Sequence, residues 1–382
     1  MTHTHDAPTP PPLIRLWQRA RPVAMVAWFF AGVIWYAVSL TRIDRLRDNA
    51  VLAGYLATLA VLIAVEQQVE SWPERWPRLA RRYGWISAAV QFLFGSLWTA
   101  YLVFYTRSAS WGPSTAFVVA LAAVVVGNEL LHRRLRARWL RVAMLSAVTW
   151  AFLLFFVPVV TGWYGEHLGL IALAGSVALS SLVTVGATWG LDAAAAQRGR
   201  HVAVAVGVAA LLAGVERAGL VPPVPLAALE IGVFHDVATR ADAESPVGRT
   251  RRVWLSYDDP GPWRRLWTDD DATFRWRQGD AAWCFTAVFV PTGMAMHLWH
   301  RWQRWDQTQG WVDTDRIDVS RAGSFEGGAE RGFRTWSRKQ ALSPGPWRVL
   351  VEDDRGREIA RTRFDVVPTP APATQRLQRS WE

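Results

Sequence analysis

The chain has 382 residues, 51% of them hydrophobic, with 42 Lys+Arg against 32 Asp+Glu. Residues 1–220 carry 19 Arg and 10 Asp+Glu, so 29 of 220 are charged; residues 221–382 carry 23 Lys+Arg and 22 Asp+Glu, so 45 of 162 are. The excess of positive charge therefore sits among apolar runs, which argues against nucleic-acid binding despite a pI near 10.6. The single cysteine, Cys284, excludes an internal disulfide framework and a cysteine-rich zinc site.

After a polar, proline-rich start (MTHTHDAPTPPP), expected to be disordered and cytoplasmic over 1–21, seven apolar stretches follow. They cover roughly 22–40, 50–66, 85–105, 115–131, 142–161, 168–190 and 202–220. Each approaches the ~20 residues that span about 30 Å of hydrocarbon, so 22–220 reads as a seven-span transmembrane domain. The first is too long for a signal h-region and is read as an uncleaved anchor. Arg residues in the connections set the orientation. With the N-terminus inside, the inner side holds fourteen (Arg15, Arg19 and Arg21, then those in 75–82, 133–141 and 198–200), and the outer side holds four, Arg42, Arg45, Arg47 and Arg107. An odd number of spans then places the C-terminal half outside the cytoplasm.

Polar residues within apolar spans raise a functional question by default. Glu66 and Glu129 fall at the inner ends of spans two and four and read as solvated end residues, Gln91 stands alone in span three, and Glu216 and Arg217 lie near the outer end of span seven. Small residues between Ala174 and Ser181 in span six read as a helix-packing face. Without a polar relay or a mid-membrane break, a transporter has little support.

Beyond Val-Pro-Pro-Val-Pro at 221–225 the hydrophobic period changes to two. Strands are expected at 230–238, 250–257, 273–277, 281–290, 294–305, 312–319, 331–337, 346–353 and 357–366. Asp353-Asp354-Arg355-Gly356 joins the last pair as a hairpin. The fold class is thus α + β in separate domains: a helical membrane bundle, then an all-β immunoglobulin-like sandwich over 221–367. The Gly-rich stretch 321–332 reads as a loop, and the tail 368–382 as disordered.

Several segments carry a family resemblance. Glu230-Ile231-Gly232-Val233-Phe234-His235 is followed by FTAVFVPTG at 285–293 and by His300-Arg301-Trp302. Thr335-Trp336-Ser337-Arg338-Lys339, Gly345-Pro346-Trp347-Arg348-Val349 and Phe364-Asp365-Val366 complete the series. Together they resemble the bacterial domain-of-unknown-function family 2914, and the membrane half resembles its N-terminal companion, family 5924. The resemblance implies a Gram-negative inner-membrane protein with a C-terminal soluble domain, and it supplies no catalytic residue.

Met296–Trp305, MHLWHRWQRW, is the densest feature. On a strand, His300, Trp302 and Arg304 share one face and His297, Trp299, Arg301 and Trp305 the other. Either one tryptophan row fills the core while Arg stems cover the far side, or rings and guanidinium groups meet a ligand. His300, Trp302 and Arg304, with Arg334, Trp336 and Lys339, are the candidate binding residues. Trp263, Arg264, Arg265 and Trp267 are the candidate membrane-interface set. Twelve of the 24 tryptophans lie beyond residue 220, more than one such core buries. Asp269–Asp271 reads as an acidic turn, Asp313, Asp315 and Asp318 as a solvated face, and Cys284 as a buried thiol. The residues call for no cofactor, metal or catalytic group. The expected partners are the lipid bilayer and an envelope protein or polysaccharide; the alternative is a membrane enzyme of envelope lipid or glycan metabolism that would use Glu66 and Glu129.

Overall fold

The computed structural model describes residues 43–110, 112–130, 137–190, 194–241, 251–259, 270–320, 325–326, 332–369 and 376–381. The expected first span at 22–40, the set Trp263, Arg264, Arg265 and Trp267, and most of the Gly-rich stretch 321–332 lie outside these residues. The described chain is a helical N-terminal region followed by a β-rich C-terminal region. The helices are α1 (Leu46–Ser71), α2 (Pro77–Ala80), α3 (Tyr83–Arg107), α4 (Thr115–Leu130), α5 (Arg138–Thr161), α6 (Leu168–Ala187) and α7 (Ala194–Arg217). Five of them, α1, α3, α5, α6 and α7, are long and apolar enough to cross a membrane, while α4 is shorter.

Local chemistry explains the helix ends and faces. Pro158 lies in the last turn of α5, and Gly162 then adopts φ 67° and donates its N–H to the Pro158 carbonyl at 2.9 Å, ending the helix. On α6, Gly169, Ala172, Ser176, Ser180 and Thr184 are buried in one row facing α5 and α7, so of the small residues expected to pack only Ser176 and Ser180 do so, while Ala174 and Ala178 are exposed. Glu66 corrects the reading as a solvated end residue. It is 3% exposed and bonded at 3.1 Å to Arg141, which also reaches the Ser87 hydroxyl, so α1, α3 and α5 are joined through a buried ion pair. Gln91 donates to the Asn128 carbonyl at 2.6 Å and ties α3 to α4.

Thirteen described strands follow, forming three sheets and a two-stranded ribbon. The central sheet is β1 (Ala227–Phe234), β5 (Ala282–Phe289) and β10 (Phe333–Lys339), in the order β1-β5-β10 and antiparallel throughout. One of its faces packs on a five-stranded sheet of order β4-β12-β11-β7-β8, made of β4 (Thr273–Trp276), β7 (Trp299–Asp306), β8 (Gly310–Asp318), β11 (Gly345–Glu352) and β12 (Glu358–Pro368). Val233, Cys284 and Val288 meet Trp302, Trp347, Val349, Val351 and Phe364 across this layer. The other face, through Phe234, Phe285 and Ala287, is covered by the sheet β13-β3-β2, with β2 (Asp236–Ala241), β3 (Arg251–Asp258) and β13 (Arg376–Trp381). β5 is therefore buried on both sides, which is why AWCFTAVF lacks a polar face. β6 (Ala295–Met296) pairs with β9 (Phe325–Glu326).

The tail corrects one expectation. Residues 376–381, read as disordered, form β13 along β3, with Leu377 and Trp381 packed against the core under the third sheet. Three prolines at 368, 370 and 372 hide this strand from a composition argument.

The two regions meet at one end of the bundle. Asp353 Oδ1 accepts the N–H groups of Arg355 and Arg357, both at 2.9 Å, closing the β11–β12 hairpin. The hairpin arginines then reach into the helices. Arg357 donates to Asp353 Oδ2 at 2.8 Å, to Glu216 Oε1 at 3.2 Å and to the Tyr164 hydroxyl. Arg355 donates to Glu216 Oε1 at 3.3 Å and to the Gly165 carbonyl, and both guanidinium groups lie over the Tyr164 ring. Gly169 makes room for the carboxylate, since a Cβ there would lie 2.6 Å from Glu216 Oε2. Burial pushes the Tyr164 phenol well above its ordinary pKa, so its oxygen is a neutral acceptor. At the opposite end, Glu70 pairs with Arg138 at 2.9 Å and Arg198 donates to the Thr188 carbonyl at 3.0 Å, so these two arginines lie away from the β-rich region.

Candidate functional site

The sequence-predicted binding residues are dispersed by the fold. His300 and Trp302 are fully buried between the central and five-stranded sheets. Trp302 Nε1 donates to Ser337 Oγ at 2.9 Å, and the His300 nitrogens lie 2.8 Å from Ser337 Oγ and 2.9 Å from Thr286 Oγ1, which meets Thr335 Oγ1 at 2.9 Å. One assignment satisfies the chain: Ser337 donates to Nδ1, Nε2–H donates to Thr286, and Thr286 donates to Thr335. It requires a neutral imidazole, and burial pushes the His300 pKa down to about 3. The pair is thus a hydrogen-bonded core seam and offers no surface to a partner.

The second set divides. Trp336 is half-buried against the Phe234–Phe285 core under the third sheet, and Arg334 shares its face of β10. Lys339 points the other way, nearly buried, ion-paired with Asp315 and 5.4 Å from the centre of the Trp347 ring. Arg304 is half-buried opposite Trp347. The surplus tryptophans are largely covered by cations: Arg316 lies 4.5 Å over Trp299, Arg348 4.3 Å over Trp311 and Arg338 5.4 Å over Trp283. Trp305 is 45% exposed.

The accessible feature is on the other face of β7. Arg301, Asp313, Thr314, Asp315, Arg316, Glu352, Asp354, Arg355 and Gly356 line a polar cavity of about 570 Å³. Its floor is rigid. Arg301 makes a bidentate contact with Asp313, at 2.7 and 2.5 Å, and reaches Glu352 at 3.1 Å; Arg316 approaches Glu352 at 3.4 Å. The Arg301 hydrogen bonds hold the Asp313 carboxyl below the usual range even against its partial desolvation. Acids and bases alternate, so the cavity presents directed donors and acceptors with little net charge, a lining suited to a polyhydroxylated or zwitterionic ligand. Arg355 joins this cavity to the helical region: it lines the cavity and bonds Glu216. Period two did separate the His300 face from the Arg301 face, but a face rich in His and Trp proved to be the interior one. The Glu216 docking was not legible because its partners lie 139 and 141 residues away.

Residues 295–366 match the family described as "Protein of unknown function (DUF2914)". The match supports the resemblance read from the C-terminal motifs. It takes in β6 to the greater part of β12, and with them every residue lining the cavity and the docking hairpin. No curated protein matches the chain. Among solved structures, the Pseudomonas fluorescens alkylpurine DNA glycosylase AlkC bound to DNA containing an abasic site analog aligns over 85% of this chain and 99% of its own, at 10% identity and a TM-score of 0.20. A likeness at that level carries no argument about fold or function.

Proposed function

We propose that the chain is a multi-pass inner-membrane protein of a Gram-negative bacterium whose β-rich region stands in the periplasm as a recognition or assembly module for an envelope glycan or protein. In this reading the helical region is a seven-span domain of the kind the 5924 resemblance implies, and the β-rich region is an immunoglobulin-like sandwich extended by a third sheet. One observation carries the proposal. The β-rich region is locked to the Arg-poor end of the bundle, and beside that lock it presents a preformed polar cavity of about 570 Å³. The enzyme alternative loses ground, because Glu66 is bound to Arg141 instead of facing a headgroup-level cleft.

Arg316 and Asp354 are the residues to vary. Binding of fluorescent soluble peptidoglycan fragments to the purified full chain in detergent micelles is expected to weaken roughly tenfold or more in Arg316→Ala, the scale of a lost charge-assisted hydrogen bond. Asp354→Ala is expected to act in the same direction, and Arg304→Ala, off the cavity, to leave affinity unchanged. Equal affinity in all three variants would remove the cavity from the account.

A further inference from the structure

Where β1 turns into β2, three strand ends converge. His235 stands between β1 and β2, Asp258 ends β3, and Asp271 lies two residues before β4. All three side chains are buried, and each offers a ligand atom within 4.8 Å of the others. We propose that His235, Asp258 and Asp271 form a binding site for a divalent cation of the zinc or manganese class, a structural clasp tying these strand ends together. An imidazole with two carboxylates is a mixed nitrogen and oxygen donor set that such ions accept.

The surrounding contacts are those of a metal site's outer shell. His235 Nε2 faces the Arg275 carbonyl at 3.2 Å, which turns Nδ1 inward, 2.6 Å from Asp271 Oδ2. Metal-binding imidazoles are oriented by such a bond from the far ring nitrogen to a carbonyl. The ring is also stacked on Phe274, with centroids 4.1 Å apart and planes 12° from parallel, so its rotamer is fixed by packing. Asp271 Oδ1 accepts the Asp258 N–H at 2.7 Å, which orients the second ligand.

Asp258 supplies an independent observation. Its side chain is only 5% exposed, yet neither carboxylate oxygen takes a hydrogen bond. The nearest cations, Arg275 Nη1 and Arg376 Nε, stand off at 3.8 and 3.9 Å. Buried carboxylates are ordinarily hydrogen-bonded or coordinated. One aimed at a His–Asp pair and lacking both is explained by a cation at the centre of the three.

The test is titration of the chelator-stripped full chain, in detergent micelles, with Zn²⁺ by calorimetry and with Co²⁺ by visible absorption. The expected result is tight binding at the site, a cobalt spectrum of imidazole and carboxylate ligation, and a higher thermal transition with Zn²⁺. Asp258→Asn is expected to weaken Zn²⁺ binding at least tenfold with little change in the metal-free transition, because no hydrogen bond is lost. His235→Ala is expected to abolish the site's cobalt spectrum. His3 and His5 are common to all proteins compared, so the difference between them reads the site. Equal Zn²⁺ affinity in the parent and Asp258→Asn would overturn the proposal, as would failure of the parent to bind either ion.

Discussion

Glu216→Ala is expected to release the β-rich region from the helices while leaving each folded. Glu216 is 7% exposed and is the acidic partner that both hairpin arginines share in the bundle. Its removal strands two guanidinium groups at an enclosed junction, and breaking a buried ion pair by deleting one partner costs about 3–5 kcal/mol. Asp353 still holds Arg357, which places the effect at the lower end. The result to look for is new proteolytic cleavage between residues 217 and 227 in detergent micelles, with unchanged far-ultraviolet circular dichroism. Arg357→Ala should resemble Glu216→Ala, and the double variant should cost less than the sum of the two because they share one interaction. Full additivity would show that the contact does not hold the two regions together.

Trp302→Ala should be the most destabilising single change in the β-rich region. It removes a fully buried indole from between two sheets and takes away the donor to Ser337, and large-to-small substitutions of this kind cost about 3–5 kcal/mol. Trp305→Ala, three residues along the same strand but 45% exposed, should change stability by no more than about 0.5 kcal/mol. The same seam predicts a pH dependence. Folded His300 titrates at about 3, against about 6.5 for an unfolded histidine, so below pH 6.5 the unfolded chain binds a proton that the folded chain does not. The stability from keeping His300 neutral is thus fully present above pH 6.5. It is lost as pH falls toward 3, with a slope approaching about 1.4 kcal/mol per pH unit. Thermal transitions between pH 7.5 and 4.5 should fall more steeply in the parent than in His300→Gln. Parallel profiles would mean that His300 takes up its proton equally readily in the folded and unfolded chains.

Much of this architecture is legible in the sequence because its local signals are strong. Apolar runs locate α1 and α3 to α7 within a few residues at most ends, and period-two alternation with a Gly-containing turn locates β11, β12 and their hairpin. What alternation cannot supply is the identity of the inner face. On β7 it separates His300 and Trp302 from Arg301, yet His and Trp are residue types that serve equally in a core or at a surface, and only the facing Thr286 and Ser337 decide. β5, apolar on both sides, conceals that a third sheet covers it. The longest-range pairs are the least legible. Glu66 with Arg141, His235 with Asp271, and Glu216 with Arg355 and Arg357 are fixed by how helices and strands are brought together, and neither spacing nor composition encodes that. The tryptophan surplus follows the same logic, since arginines from neighbouring strands cover rings that counting alone assigns to a ligand.

In the proposed topology the β-rich region stands outside the cytoplasm, on the Arg-poor end of the bundle. Alkaline phosphatase and, separately, green fluorescent protein fused after Glu382 test it most directly, and they leave β13 in place. That topology predicts an active phosphatase fusion and a dark fluorescent one. A fluorescent fusion with an inactive phosphatase would contradict it, placing the cavity and its partner in the cytoplasm.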